Sequence, residues 1–179
     1  MGFVLALLCA CALAFQKASA GWTTDLANNC ISDIESAIEA SLTGRRLQGG
    51  KGGKGGKGGG AARQGGSTRR LIPQLVRLSF HDCVGGCDGC VNLDDPDNAG
   101  LAGPRTSLET IYSDRGLADE GVSRADLWAL AGKVAVEYAA LLAGSTISIP
   151  FYTGRSDCAD SPGTSSIDGM PSAHLDVSR

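Results

Sequence analysis

The sequence predicts an all-α fold, and three observations carry that expectation. Apolar residues recur at helical spacing in separate stretches of the 179-residue chain. The clearest stretch is bounded by helix start and stop residues. The remaining chain is rich in Gly, Ser, Pro and Asp or reads as short extended segments, which leaves strands brief or absent.

The elements follow in chain order. Residues 1–20 are expected to leave as a secretory signal. Phe3 to Phe15 is an apolar run, and Ala18-Ser19-Ala20 reads as a cleavage site. The run is too short to span a bilayer, which needs about 20 apolar residues. Residues 21–48 hold a first helix over 25–43, with Leu26, Cys30, Ile31, Ile34, Ala37, Ile38 and Leu42 on one face. Residues 49–66, beginning GGKGGKGGKGGG, bury nothing and hold no helix, so they read as a flexible basic linker. Their Gly-Lys pairs lack the following Ser or Thr and the preceding strand that a phosphate loop requires.

The rest, 67–179, forms the main domain. Residues 69–82 read as a second helix, with Pro73 acceptable in its first turn. Residues 105–115 make a short third helix. In the fourth, Ser123 is the N-cap, Asp126 stands at the third helical position as in a capping box, and Gly144 is the stop. Its apolar positions Leu127, Leu130, Ala131, Val134, Ala135 and Tyr138 read as core. From 145 onward the chain reads as extended segment and loop.

A net charge of −3 gives no electrostatic reason to expect nucleic acid as a partner. Cys9 and Cys11 would leave with the signal. Cys30, Cys83, Cys87, Cys90 and Cys158 remain, and an oxidising compartment would pair most of them with one left over.

The chemistry concentrates in VRLSFHDCVGGCDGC, residues 76–90. Arg77 and His81 are four apart and share a helix face, with Phe80 beside them. Three readings stand on spacing alone. His81 could be a helix-terminal bystander next to a disulfide. His81, Cys83, Cys87 and Cys90 could offer zinc ligands, although they are crowded and lack a second Cys-x2-Cys pair. Or a neutral imidazole could take a proton from a small acidic substrate while the guanidinium steadies the anion.

Residue identity adds a resemblance. Arg77, Phe80 and His81 stand where the plant, fungal and bacterial haem peroxidase superfamily carries its distal Arg-x-x-aromatic-His. The segment 94–101, DDPDNAGL, resembles the loop whose Asn bonds the distal histidine, here Asn98. SRADLWALAGKVAVE at 123–137 is similar to the helix that follows, and PFYTGRSDC at 150–158 to the Gly-Arg-x-Asp segment. Met170-Pro171-Ser172-Ala173 resembles the segment at the haem edge.

The resemblance implies a haem peroxidase-like helical fold, seen here as its N-terminal, distal half, with little or no β. It implies haem b as cofactor, with Phe80, Pro171 and Ala173 against it, and hydrogen peroxide and a small reducing substrate as partners, in a secreted protein responding to oxidative stress. His81 would act as general base and then acid, Arg77 would stabilise departing charge, and Asn98 would fix the histidine's tautomer. Calcium is a further implied cofactor, with Asp82 and Asp88 as hard oxygen ligands. Cys90 stands where a hydroxyl ligand is usual. Cys83 and Cys87 resemble the short family disulfide. Cys90 with Cys158 is a second pairing, leaving Cys30 odd, because Arg124 occupies the place of its usual partner. The family's iron is held by a histidine from a second helical half. His174 directly follows the Pro-Ser-Ala segment and does not suit that role, so the chain reads as lacking its proximal ligand. A non-catalytic secreted helical module, stabilised by disulfides, is the alternative from another class.

Overall fold

The computed structural model describes residues 21–43 and 71–163. Pro171, Ala173, His174, the signal segment and the Gly/Lys linker lie outside the described residues. Four helices form: α1 (Thr24–Thr43), α2 (Leu71–Gly85), α3 (Ala102–Asp114) and α4 (Arg124–Leu142), with one 3-10 turn at Pro96–Asn98. No strand occurs among the described residues, so the all-α expectation holds.

Helix α4 is the hub. Leu127, Trp128, Leu130, Ala131, Val134 and Ala135 are all buried, and α2, α1 and α3 pack around them. Cys30, Ile34 and Ile38 of α1 and Leu75 and Leu78 of α2 complete the same cluster. Burial of this kind is worth roughly 1.5–3 kcal/mol for each large aliphatic side chain. The α2–α4 crossing is close at Gly132, where an added Cβ would lie 2.2 Å from Ser79 Oγ and 2.8 Å from its Cβ. Only the bare glycine backbone admits that approach.

The ends of α4 explain its precision. The Ser123 hydroxyl accepts from the Asp126 N–H at 3.1 Å. The capping box is not reciprocal, however. The Asp126 carboxylate turns away to accept from Trp22 Nε1 (3.2 Å), the Gly154 N–H (2.8 Å) and Arg155 Nη1 (3.0 Å). It therefore ties three segments together. Asp157, from far along the chain, accepts from the Arg124 and Ala125 N–H groups at 3.0 and 2.9 Å, so the helix start carries a second cap. At the other end Gly144 is left-handed, with φ 77°. The Ser145 N–H donates to Ala140 O at 2.9 Å and the Gly144 N–H to Leu141 O at 3.0 Å, which is the Schellman pattern.

Two boundaries differ from the periodicity. Helix α2 runs on to Gly85, past the polar Asp82. Helix α3 starts at Ala102, because Pro104 falls in its first turn, where a missing N–H costs nothing.

Candidate peroxide site

Helix α2 puts Arg77, Phe80 and His81 on neighbouring positions of one turn, and the 3-10 turn brings Asn98 to them. Asp95 opens that turn by accepting from the Asp97 N–H at 2.8 Å, and Pro96 sits just inside it. Asn98 is 1% exposed and His81 7% exposed, so both need internal partners.

Those partners assign the tautomer. Asn98 Nδ2 donates to the Asn92 carbonyl at 2.7 Å, which leaves Oδ1 facing His81 Nδ1 at 2.5 Å. An amide oxygen only accepts, so His81 Nδ1 carries the proton. A neutral His81 then has its lone pair on Nε2. Arg77 Nε points at that nitrogen from 3.3 Å. The rest of the guanidinium is held by the Ala99 carbonyl at 2.7 Å and by the Asp97 carbonyl. A hydrogen-bond acceptor and a fixed cation therefore sit side by side, the arrangement needed to take up a proton and steady the charge left behind.

Next to these buried polar groups the surface is apolar and open. Phe80 is 53% exposed and Val76 37%, while Leu75 and Leu78 on the other side of the same helix are buried. A large exposed aromatic beside a buried, oriented histidine marks a ligand surface more than a solvent face. These residues fit one face of a flat apolar cofactor with its reactive centre under His81.

The implied calcium ligands are used differently. Asp82 is 1% exposed, and its Oδ1 accepts from the Gly89 and Cys90 N–H groups at 2.7 and 3.2 Å. Burial pushes its pKa up to about 7, against the opposing pull of those N–H bonds, with nearby Asp88 adding to the rise. Asp88 Oδ1 is buried without a hydrogen-bond partner. Cys90 is bonded to Cys158 and Cys83 to Cys87. Asp82 thus serves as a cap for the cysteine loop, and the structure does not assemble hard oxygen donors around a calcium-sized space. The four zinc candidates are not brought together either, since His81 faces Asn98 and Arg77 while the cysteines divide between two disulfides.

Cys30 is free and fully buried, and burial pushes its thiol up to about 11, with Asp33 raising it further and Arg115 opposing. Arg115 itself forms a two-point ion pair with Asp33, Nε–Oδ2 2.6 Å and Nη2–Oδ1 2.8 Å, joining α3 to α1.

Sequence reasoning did not single out Asn92, whose carbonyl orients Asn98, or Asp97 and Ala99, whose carbonyls hold Arg77. These roles belong to the backbone, and side-chain identity carries no signal for them. Asp157 was likewise passed over, because a cap arriving from a distant segment leaves no local pattern.

The peroxidase family model matches residues 61–179. Peroxidase RIP1 of Medicago truncatula is 34% identical over 126 residues, covering 62% of this chain and 37% of that protein. Peroxidase 40 of Arabidopsis thaliana is 32% identical over 123 residues, covering 61% of this chain and 33% of that protein. A catalase-peroxidase of Xanthomonas axonopodis is 44% identical over 62 residues, 33% of this chain and 8% of its own length. The chain thus matches about a third of the length of the two plant relatives. No solved structure matches. No helix among the described residues is long and apolar enough to cross a membrane. With the family model covering well over half of the chain, this protein belongs to the peroxidase family.

Proposed function

We propose that this chain supplies the peroxide side of a haem peroxidase, reducing hydrogen peroxide at the expense of a small electron donor. The observation that carries the reading is the fixed tautomer of His81, with Asn98 and Asn92 behind it and Arg77 in front. Haem b, when bound, supplies the iron that takes the peroxide oxygen and holds the oxidising equivalents. Phe80 would pack on it, with Pro171 and Ala173 at its edge as the family resemblance implies.

The protein's own part is proton movement and charge. His81 Nε2 takes the proton from the near oxygen of the peroxide and returns it to the far oxygen, which departs as water. Arg77, held by two backbone carbonyls, offsets negative charge as the O–O bond lengthens. Its fixed position means little reorganisation is needed at that moment. Asn98 keeps Nδ1 protonated, so Nε2 is always the working atom. The described residues hold no second histidine to serve as an iron ligand, and the proposal concerns the peroxide side alone. Two disulfides in a stretch of fewer than eighty residues support a place in an oxidising, extracellular compartment.

The test is haemin titration of the chain, followed by stopped-flow mixing with hydrogen peroxide. A saturable shift of the haem absorption band is expected, and His81→Ala should slow the peroxide step by about 10²–10⁴-fold, the usual share of acid–base catalysis. A variant within threefold of the parent removes His81 from the role. Absence of haem binding under folded conditions would move the protein to the non-catalytic class.

A further inference from the structure

The loop after α2 and the segment after α4 meet at a cluster that the peroxide chemistry does not use. Ligand atoms of Asp88, Cys90 and Cys158 lie within 4.8 Å of one another. Asp160 Oδ1 adds a fourth, 3.3 Å from Cys158 Sγ and 3.8 Å from Cys90 Sγ. A disulfide gives these carboxylates little. Its sulfurs carry no proton, so neither oxygen gains a donor there, and Asp88 Oδ1 is buried with no hydrogen bond at all. Two sulfurs and two carboxylates converging on one point are instead the donor set of a four-coordinate cation.

We propose that Asp88, Cys90, Cys158 and Asp160 form a redox-gated zinc-type site, closed while Cys90 and Cys158 are joined and opened when they are reduced.

The frame for such a site is already rigid. The Cys158 N–H donates to Asp88 O at 2.7 Å, and Ser161 Oγ donates to Gly89 O at 2.9 Å. Gly89 has φ 70°, and an added Cβ would meet Asp157 Oδ1 and Ser161 Oγ at 2.9 Å, so the two segments are pressed together. The cysteine Cα atoms are 6.3 Å apart. Parting the sulfurs then takes side-chain rotation alone, into a tetrahedron with Zn–S of about 2.3 Å and Zn–O of about 2.0–2.2 Å. Mixed thiolate and carboxylate donors favour zinc over calcium, which prefers six to eight oxygens.

The chemistry balances in both directions. A dithiol reductant gives two electrons and two protons to the disulfide, leaving two thiols and the reductant's own disulfide. Zinc then displaces one proton from each thiol. In reverse, hydrogen peroxide accepts two electrons from the two thiolates. The S–S bond forms, the O–O bond breaks, two solvent protons complete two waters, and zinc leaves.

The experiment reduces the chain with a phosphine, which brings no competing thiol, and titrates it with cobalt(II) and then zinc. One equivalent of cobalt is expected, with a thiolate-to-cobalt absorption band that zinc abolishes. The oxidised protein should show no band. Zinc should protect Cys90 and Cys158 from iodoacetamide while Cys83 and Cys87 stay labelled, as read by mass spectrometry. The band should vanish in C90S/C158S, persist in C83S/C87S, and need at least ten times more metal in Asp88→Asn or Asp160→Asn. Three results overturn the proposal. One is no band in the reduced protein. Another is a band, or protection, that does not depend on Cys90 and Cys158, including the indiscriminate labelling expected of an unfolded chain. The third is equal metal binding by the oxidised protein, which would mean carboxylates alone hold an adventitious ion.

Discussion

Two surfaces of α2 behave oppositely. At its C-terminal end the cysteine loop is knotted. Asp82 caps Gly89 and Cys90, two disulfides close, and the 157–161 segment bonds back onto Asp88 and Gly89. On its open side, one turn away, Phe80 stands 53% exposed beside a His81 that is 7% exposed. The first surface has satisfied its polar groups within the chain and owes its shape to that. The second has oriented its polar groups and left its apolar area uncovered, which is what a binding face looks like before its ligand is counted. The contrast locates stability and function in different places on one helix.

Asn98 breaks the contrast most sharply, because it belongs to both surfaces. Asn98→Ala removes the acceptor for His81 Nδ1 and leaves the Asn92 carbonyl without its donor. In haem-loaded protein the peroxide step should fall about 10–100-fold, as for other residues that orient a working histidine. The pH–rate profile should also change, because either ring nitrogen could then carry the proton. A slower rate with an unchanged profile would assign Asn98 to packing only.

Gly89 tests the knotted side. Gly89→Ala forces a side chain onto a backbone of φ 70° and into Asp157, Ser161 and the Ala125 N–H. Left-handed strain and overpacking together should cost about 2–4 kcal/mol in urea unfolding. An effect under 1 kcal/mol would show that the loop yields and the knot is soft.

Phe80 tests the open side with the opposite sign. As an exposed side chain it should contribute little to folding, so Phe80→Ala should shift unfolding by less than about 0.5 kcal/mol. Haemin affinity should drop at the same time. A clear loss of stability without a change in haemin binding would mean that Phe80 packs within the protein.

The mildest expectation concerns the buried Cys30. Its thiol is raised from 9.0 to about 11, chiefly by burial, so the folded protein favours the neutral form. That contribution is complete below pH 9 and fades as pH rises towards 11. The denaturation midpoint should decline over this window and decline less in Cys30→Ala. Identical pH dependence in both proteins would exclude Cys30 as the cause.

Much of the scaffold was legible beforehand. The apolar stripe of α1, the Ser123 cap and the Gly144 stop are local signals, set by which side chains repeat every turn and which backbone angles a residue tolerates. The shared face of Arg77, Phe80 and His81 follows from helical geometry in the same way. Less legible was Asp126, which reads locally as a capping partner and instead binds Trp22, Gly154 and Arg155. A carboxylate with several donors in reach goes to the set that tertiary packing presents, and sequence spacing cannot rank them.

By itself, then, the sequence determined the helices, their ends and the chemical types gathered on α2. Only the tertiary structure decided which partner each polar group takes. Asn98 oriented by the Asn92 carbonyl, Arg77 held by the carbonyls of the 3-10 turn, Asp157 capping a helix 31 residues or more before it, and Cys158 beside Asp88 and Asp160 are all long-range or backbone-mediated pairings. The physical reason is that helical periodicity is a local property of the chain. The satisfaction of a buried donor or acceptor depends on what the folded chain brings within about 3 Å of it.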